Sequence, residues 1–527
     1  MMKKITAYAL TLTAVILLLN CGSREGEDKP LTAREQALAT NKDMFGLRIP
    51  KRGLTKTSLE LSPGYVMFRP TNSASVYLIN REGLVVHEWK GIYEMHPTYL
   101  NDDGSITVQA VDPDFPVFAG GGEAGRIQRI SWDSKMLWNY EYADEDHLAH
   151  HDIAIKPNGN ILSIAWEART PEEALQAGRK PELTPQISGI WPSTVVEIEP
   201  EGKTGGKIVW KWQIWDHLIQ DFDPAMDNYG DVAAHPELLD INVGDSVPEP
   251  LSQDSVDLWV ATKKTWRNRT VDNRGSDIYH FNAIDYNPDL EQIVVSSPHL
   301  SEIFILDQST TTEEAAKHEG GRWGKGGDFL YRWGNPQNYR QGDSTDRKLY
   351  GQHDVRWIDK GKPGAGHLTV FNNDIPYIPD SLSYSAVYEL DPPGNAQGVY
   401  QKMPNGEYGP EGPVWKYLAP DTLSLYGGFI SGAHRMKNGH TFINEGPKGR
   451  FFEVTPEGET VWEYYCPYRG NIHHSDGDPV NPIPMAFWQF RATFIPADHP
   501  GLRGRELKPL DPQPEVFKLP PAEEKNM

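Results

Sequence analysis

Short runs in which large apolar residues alternate with polar ones recur along the chain. They are VVHEW ending at Trp89, MLWNYEY around Trp138, IVWKWQI around Trp210 and Trp212, FLYRW ending at Trp333, PVWKY at Trp415 and TVWEY at Trp462. A period of two is the pattern of a half-buried strand. After each copy comes a His, then a strand, often a turn rich in Gly and Asn, and another strand. HDIAIKPNGNILSI from His151 and HRMKNGHTFINEG from His434 are the clearest cases, and HPTYLNDDGSITV from His96 is a looser one. Asn-Gly and Asp-Gly pairs accept positive φ cheaply and read as hairpin turns.

Repeated units of three to four antiparallel strands cannot each bury both faces, and packing them side by side around a ring solves this. The pattern therefore predicts an all-β fold, a six-bladed β-propeller with long loop excursions. The early strands GYVMF and SVYLIN lack partners of their own, so they are expected to close the ring with strands near the C-terminus. The expected organisation is a signal peptide over 1–20, a tether over 21–62, the propeller over 63–495 and an extended Pro-rich tail over 496–527. The segment WDHLIQDFDPAMDNYGDVAAHPELLDIN breaks the alternation and reads as an excursion from the ring, lying over one mouth of its channel. Residues 308–327, with TTTEEAA and GGRWGKGG, read as a second polar loop.

Composition sharpens this picture. Of 527 residues, 38% are hydrophobic and 24% charged, a globular balance, and 16 Trp with 23 Tyr favour strands. The net charge of −22 argues against a nucleic-acid partner and requires any anionic substrate to find a local pocket of cations. Lys3 and Lys4 precede an apolar stretch from Ile5 to Leu19 that ends in Leu-Leu-Asn-Cys. This resembles an export signal with a lipobox, although Asn20 departs from the usual small residue. Cys21 is the expected lipidation site, placing the chain on the periplasmic or cell-surface side of the envelope. With Cys21 lipidated, Cys466 has no partner for an intramolecular disulfide.

In a propeller, residues at one phase of each repeat surround the channel. His96, His151, His280, His353, His434 and one of His473 or His474 are read as sharing that phase. Such a cluster can supply a nucleophile or base, hold an oxyanion, or bind a metal. No paired-Cys metal site, Gly-rich phosphate loop or haem motif is present, so neither a metal nor a cofactor is expected.

HFNAIDYNPDLEQIVVSSPHLSEIFILD from His280, GQHDVRW from Gly351, FISGAHRMKNGHTFINEG from Phe429 and the WDHLIQ segment resemble the bacterial aryl-sulfate sulfotransferase family, over about Gly64 to Leu502. The resemblance implies transfer of a sulfuryl group from a phenolic sulfate ester to a phenol, without a nucleotide donor, through a transiently sulfated histidine. It matches His434 to the nucleophile and His280 and His353 to the other channel histidines. Asn282, His151, Arg356 and Arg435 are the candidates for binding substrate. The family places an Arg shortly after the turn that here reads Asn372-Asn373-Asp374, and none follows. Arg356, Arg435 or Arg450 is the expected substitute. The family's disulfide near the channel and its N-terminal β-sandwich are not expected here. The competing reading is a non-catalytic surface propeller that binds a ligand or polymer in its channel.

Overall fold

The computed structural model describes residues 51–111, 118–262, 269–377, 381–394, 399–471 and 487–517. Within these, six antiparallel sheets of four or five strands form in chain order. Blade 1 uses strands from Gly64 to Lys90, blade 2 Met95 to Glu141 and blade 3 His147 to Gln213. Blade 4 uses Ala283 to Trp333, blade 5 His353 to Tyr417 and blade 6 Gly432 to Tyr465. Each blade packs its apolar faces on both neighbours. Trp138 and Ile153 share one cluster across blades 2 and 3, Trp212 and Phe304 another across blades 3 and 4, and Phe68 and Phe442 another across blades 1 and 6. The core is thus a ring of interfaces, and the chain is a six-bladed propeller.

The repeated tryptophan has a specific use. The outer-strand indole of one blade donates to a backbone carbonyl associated with the next: Trp138 to Gly205, Trp212 to Gly327, Trp333 to Pro410, Trp415 to Pro456 and Trp462 to Arg81, all at 2.7–2.8 Å. A buried indole N–H needs an acceptor, so each Trp both fills an interface and pins it. Trp89 of blade 1 departs from this. It packs edge-on against Trp132, with ring centroids 5.1 Å apart.

Closure happens twice. Ala492–Pro496 pairs with Gly64–Phe68 and becomes the inner strand of blade 1. Gly53–Thr57, expected within the tether, pairs instead with the outer edge of blade 6 along Thr460–Tyr465. That strand is short and largely exposed, so it carries little apolar signal, but it covers an open sheet edge. The C-terminal segment lies against the ring: Leu510 N–H donates to Val85 at 2.8 Å and Phe517 N–H to Pro467 at 2.9 Å. No helix among the described residues is long and apolar enough to cross a membrane. Cys21, His473 and His474 lie outside the described residues.

Candidate functional site

The inner strands of all six blades start at the same mouth. His151 and His280 hold left-handed backbone there, with φ of 56° and 46°, as does Asp354, next to His353, at 57°. This conformation is rarely adopted by non-glycine residues and persists only where surrounding structure enforces it. The excursion between blades 3 and 4 ends at this mouth and delivers Asp277 and His280.

Four of the expected histidines gather here. The His151 and His280 rings lie 4.4 Å apart, and Phe490 lies 6.1 Å from His151 and 6.2 Å from His96. His353 is close enough for His280 and Arg491 to influence its ionisation. Two further histidines complete the group: His150, whose Nδ1 lies 2.7 Å from that of His151, and His299, stacked on His280 at 4.4 Å. The Gly120-Gly121-Gly122 turn closes over them. A side chain on Gly122 would occupy the His151 ring, and that residue has φ +78°.

Two rings are held in a defined orientation. Asp277 Oδ2 bonds His280 Nδ1, and Asp277 Oδ1 accepts the Trp166 indole N–H at 2.9 Å. His353 Nδ1 donates to Gly351 O and Asn373 Oδ1, both at 3.0 Å. In each ring Nδ1 is the donor, which fixes the orientation of the ring and turns Nε2 away from that bond. Burial pushes Asp277 up, but the neighbouring His280, by charge and hydrogen bond, brings it down to about 2. Burial lowers His96 and His353 to about 3, with the Arg69 charge adding at His96 and the His280 and Arg491 charges at His353. Burial also lowers His151, well below its usual value.

Below the histidines a buried salt-bridge cluster plugs the channel. Asp152 receives Arg356 at 2.8 Å, Arg491 at 2.7 Å and the Tyr99 hydroxyl at 2.5 Å. Asp354 accepts from Arg356 Nε at 2.8 Å and forms an ion pair with Arg491, whose Nε lies 2.9 Å away. Arg491 Nε and Nη2 are buried without a hydrogen-bond partner among the described residues. Arg491 also lines a small pocket with Arg69, His96, Thr98 and Phe490.

His434 does not share the phase of the others. The left-handed residues of blade 6 are Ile430 and Ser431, so His434 sits three residues beyond that point. Gly432 already faces the Asp354 carboxylate of the plug, and His434 lies two residues further along its strand. Its Nε2 accepts the Phe494 N–H at 3.1 Å, across the closing interface of blades 6 and 1. Burial, then the charge of Lys362, lowers it to about 4. The alternation-based alignment missed this because the strand after Gly432 keeps the repeat pattern while the mouth loop before it differs.

The cations expected to bind substrate are also committed elsewhere. Arg356 belongs to the plug and additionally bonds Ile284 O at 3.0 Å and Tyr99 Oη at 2.6 Å. Arg435 pairs with Glu389 and lies over Trp415. Arg450 pairs with Glu445 at 3.1 Å and Glu463 at 2.7 Å. Asn282 is buried, and its Nδ2 donates to Gln352 O at 2.9 Å. Arg491, which the sequence reading missed, reaches the histidine group with an Nη2 that has no hydrogen-bond partner among the described residues. Its signal was its place at the start of the closing strand, where a charged residue has no reason to be buried unless it faces the channel.

No curated protein sequence matches the chain. Among solved structures, a protein of unknown function from Bacteroides caccae is 13% identical with a TM-score of 0.40, covering 77% of this chain and 94% of its own. Virginiamycin B lyase from Staphylococcus aureus is 9% identical with a TM-score of 0.32, covering 80% and 90%. The model of the family described as Arylsulfotransferase (ASST) matches residues 70–464. Most of the ring, including every inner strand from blade 2 to blade 6, falls within that match, and the chain belongs to the arylsulfotransferase family.

Proposed function

We propose that this protein is an aryl-sulfate sulfotransferase that moves a sulfuryl group from a phenolic sulfate ester to a phenol by a ping-pong reaction, with no nucleotide donor. The observation that carries the reading is the Asp277–His280 pair at a mouth shared with His151, His353 and the unsatisfied Arg491 Nη2. His280 Nε2, rather than His434, is the proposed nucleophile.

In the first half-reaction the lone pair on Nε2 forms an N–S bond as the S–O bond to the aryl group breaks and phenolate departs. The Nδ1 proton stays against Asp277, whose ionised carboxylate stabilises the cationic ring. Arg491, with Arg69 behind His96, opposes the charge of the sulfuryl oxygens despite the net charge of −22. In the second half-reaction a phenol attacks sulfur, His353 Nε2 takes its proton, and the N–S bond breaks to restore His280. The wall of Phe490 suits an aromatic substrate.

Incubation with a chromogenic phenyl sulfate and an acceptor phenol tests the activity. Absence of transfer would reject it. Mass spectrometry after quenching with donor alone should find one added sulfuryl group on the peptide containing His280, and none in H280N. The group on another histidine would reject this nucleophile but leave the activity standing. We also propose that the enzyme is exported and held at the membrane by lipid on Cys21. C21S should release it, and a membrane-bound C21S protein would reject the anchor.

A further inference from the structure

Away from the channel, at the outer rim between blades 3 and 4, three side chains converge. His217 closes the short 3-10 turn Ile214–His217 after the outer strand of blade 3. His318 follows the turn Thr312–Ala315, and Asp328 precedes the outer strand Tyr331–Trp333 of blade 4. His217 Nδ1 lies 2.8 Å and His318 Nδ1 2.7 Å from the same oxygen, Asp328 Oδ1.

The orientation of the His217 ring is informative. His217 is fully buried and its Nε2 lies 2.8 Å from the Ala315 carbonyl, which can only accept. Nε2 is therefore the donor there, which leaves Nδ1 as the edge turned toward the carboxylate. Between Nδ1 and the carboxylate there is a place for a cation, either a proton or a metal ion. Orientation of an imidazole by its other N–H on a backbone carbonyl is the usual support for a metal-bound histidine. The ring is further held parallel to Trp212 at 5.7 Å, and Gly327 leaves it room, since a Cβ there would come within 2.5 Å of Nε2.

We propose that His217 Nδ1, His318 Nδ1 and Asp328 Oδ1 bind one divalent transition-metal ion, with zinc the best match to two imidazoles and a carboxylate. Zinc needs tetrahedral bonds of about 2.0–2.2 Å, so the ligand atoms must part by roughly half an ångström or more. His318, largely exposed, can swing to widen its distance to Asp328, a turn of the carboxylate must widen the one to His217, and the fourth position is left to solvent. The ion joins the segment after blade 3 to the loop that precedes the last strand of blade 4. These residues are too widely separated in sequence for spacing to reveal a site.

The test uses the full chain, free of any tag and stripped with a chelator, titrated with zinc by calorimetry and checked by elemental analysis. The wild type should bind one zinc per chain, and zinc should raise its thermal midpoint. H318A, which removes an exposed side chain and should fold normally, should weaken binding by on the order of 10²-fold or more and abolish the zinc-dependent shift. H280N, which alters the channel histidines, should leave zinc binding unchanged. No binding by the wild type at micromolar zinc would overturn the proposal. So would H318A binding as tightly as wild type, or loss of binding in H280N alone.

Discussion

Asp277 holds His280 by its Nδ1 edge while its second carboxylate oxygen is fixed by the Trp166 indole 2.9 Å away. The two lie three positions apart at the end of the excursion, so an irregular segment supplies both the reactive ring and its orienting group. Replacing Asp277 by Asn removes the charge and permits the other tautomer. Transfer by D277N should fall by roughly 10²–10⁴-fold, with the far-UV spectrum unchanged. Steady-state kinetics on a phenyl sulfate would check this, and near-normal kcat would contradict it.

His434 should behave as a structural residue. Its Nε2 satisfies the Phe494 N–H at the closing interface. H434A leaves that donor unpaired and should cost about 1–3 kcal/mol of stability, measured by urea unfolding. Transfer per folded molecule should change less than about tenfold, while H280N abolishes it. A large kinetic defect in fully folded H434A would return His434 to the chemistry.

The channel plug rests on Asp152, which receives both Arg356 and Arg491. D152A strands two buried guanidinium groups against one remaining carboxylate, Asp354. The expected loss is about 3–5 kcal/mol, the cost of breaking a buried ion pair. A loss below about 1 kcal/mol in a chemical denaturation curve would show that the cluster carries little.

Acid should destabilise the fold through its buried histidines. Burial brings His96, His150 and His353 down to about 3 and His434 to about 4, against 6.5 in the unfolded chain. Between these values the unfolded state binds more protons, so stability is full above pH 6.5 and drains as pH falls toward 3–4. Each such histidine contributes a slope of about 1.4 kcal/mol per pH unit once its unfolded form is protonated. Thermal midpoints should fall steadily from pH 7 to 5, and H434N should show a shallower fall. A flat profile would mean that these rings are not buried as neutral groups.

The sequence by itself determined the ring. Apolar alternation is a local signal, and the Trp and Tyr that carry it, from Trp138 to Trp462, are the residues that fill and pin the blade interfaces. It also marked His151, His280 and His353 as residues gathered at one mouth. Only the tertiary structure decided how the side chains divide along the channel axis. His434 looks like its counterparts in sequence, but the positive-φ residue that starts its strand comes three residues earlier, which moves it past the plug. Arg356, Arg435 and Arg450 carry the same charge on paper as Arg491. Their availability depends on carboxylates contributed by distant segments, Asp152, Glu389 and Glu445 among them. Pairing across such separations is set by how the blades meet, and no local pattern of polar and apolar residues encodes it.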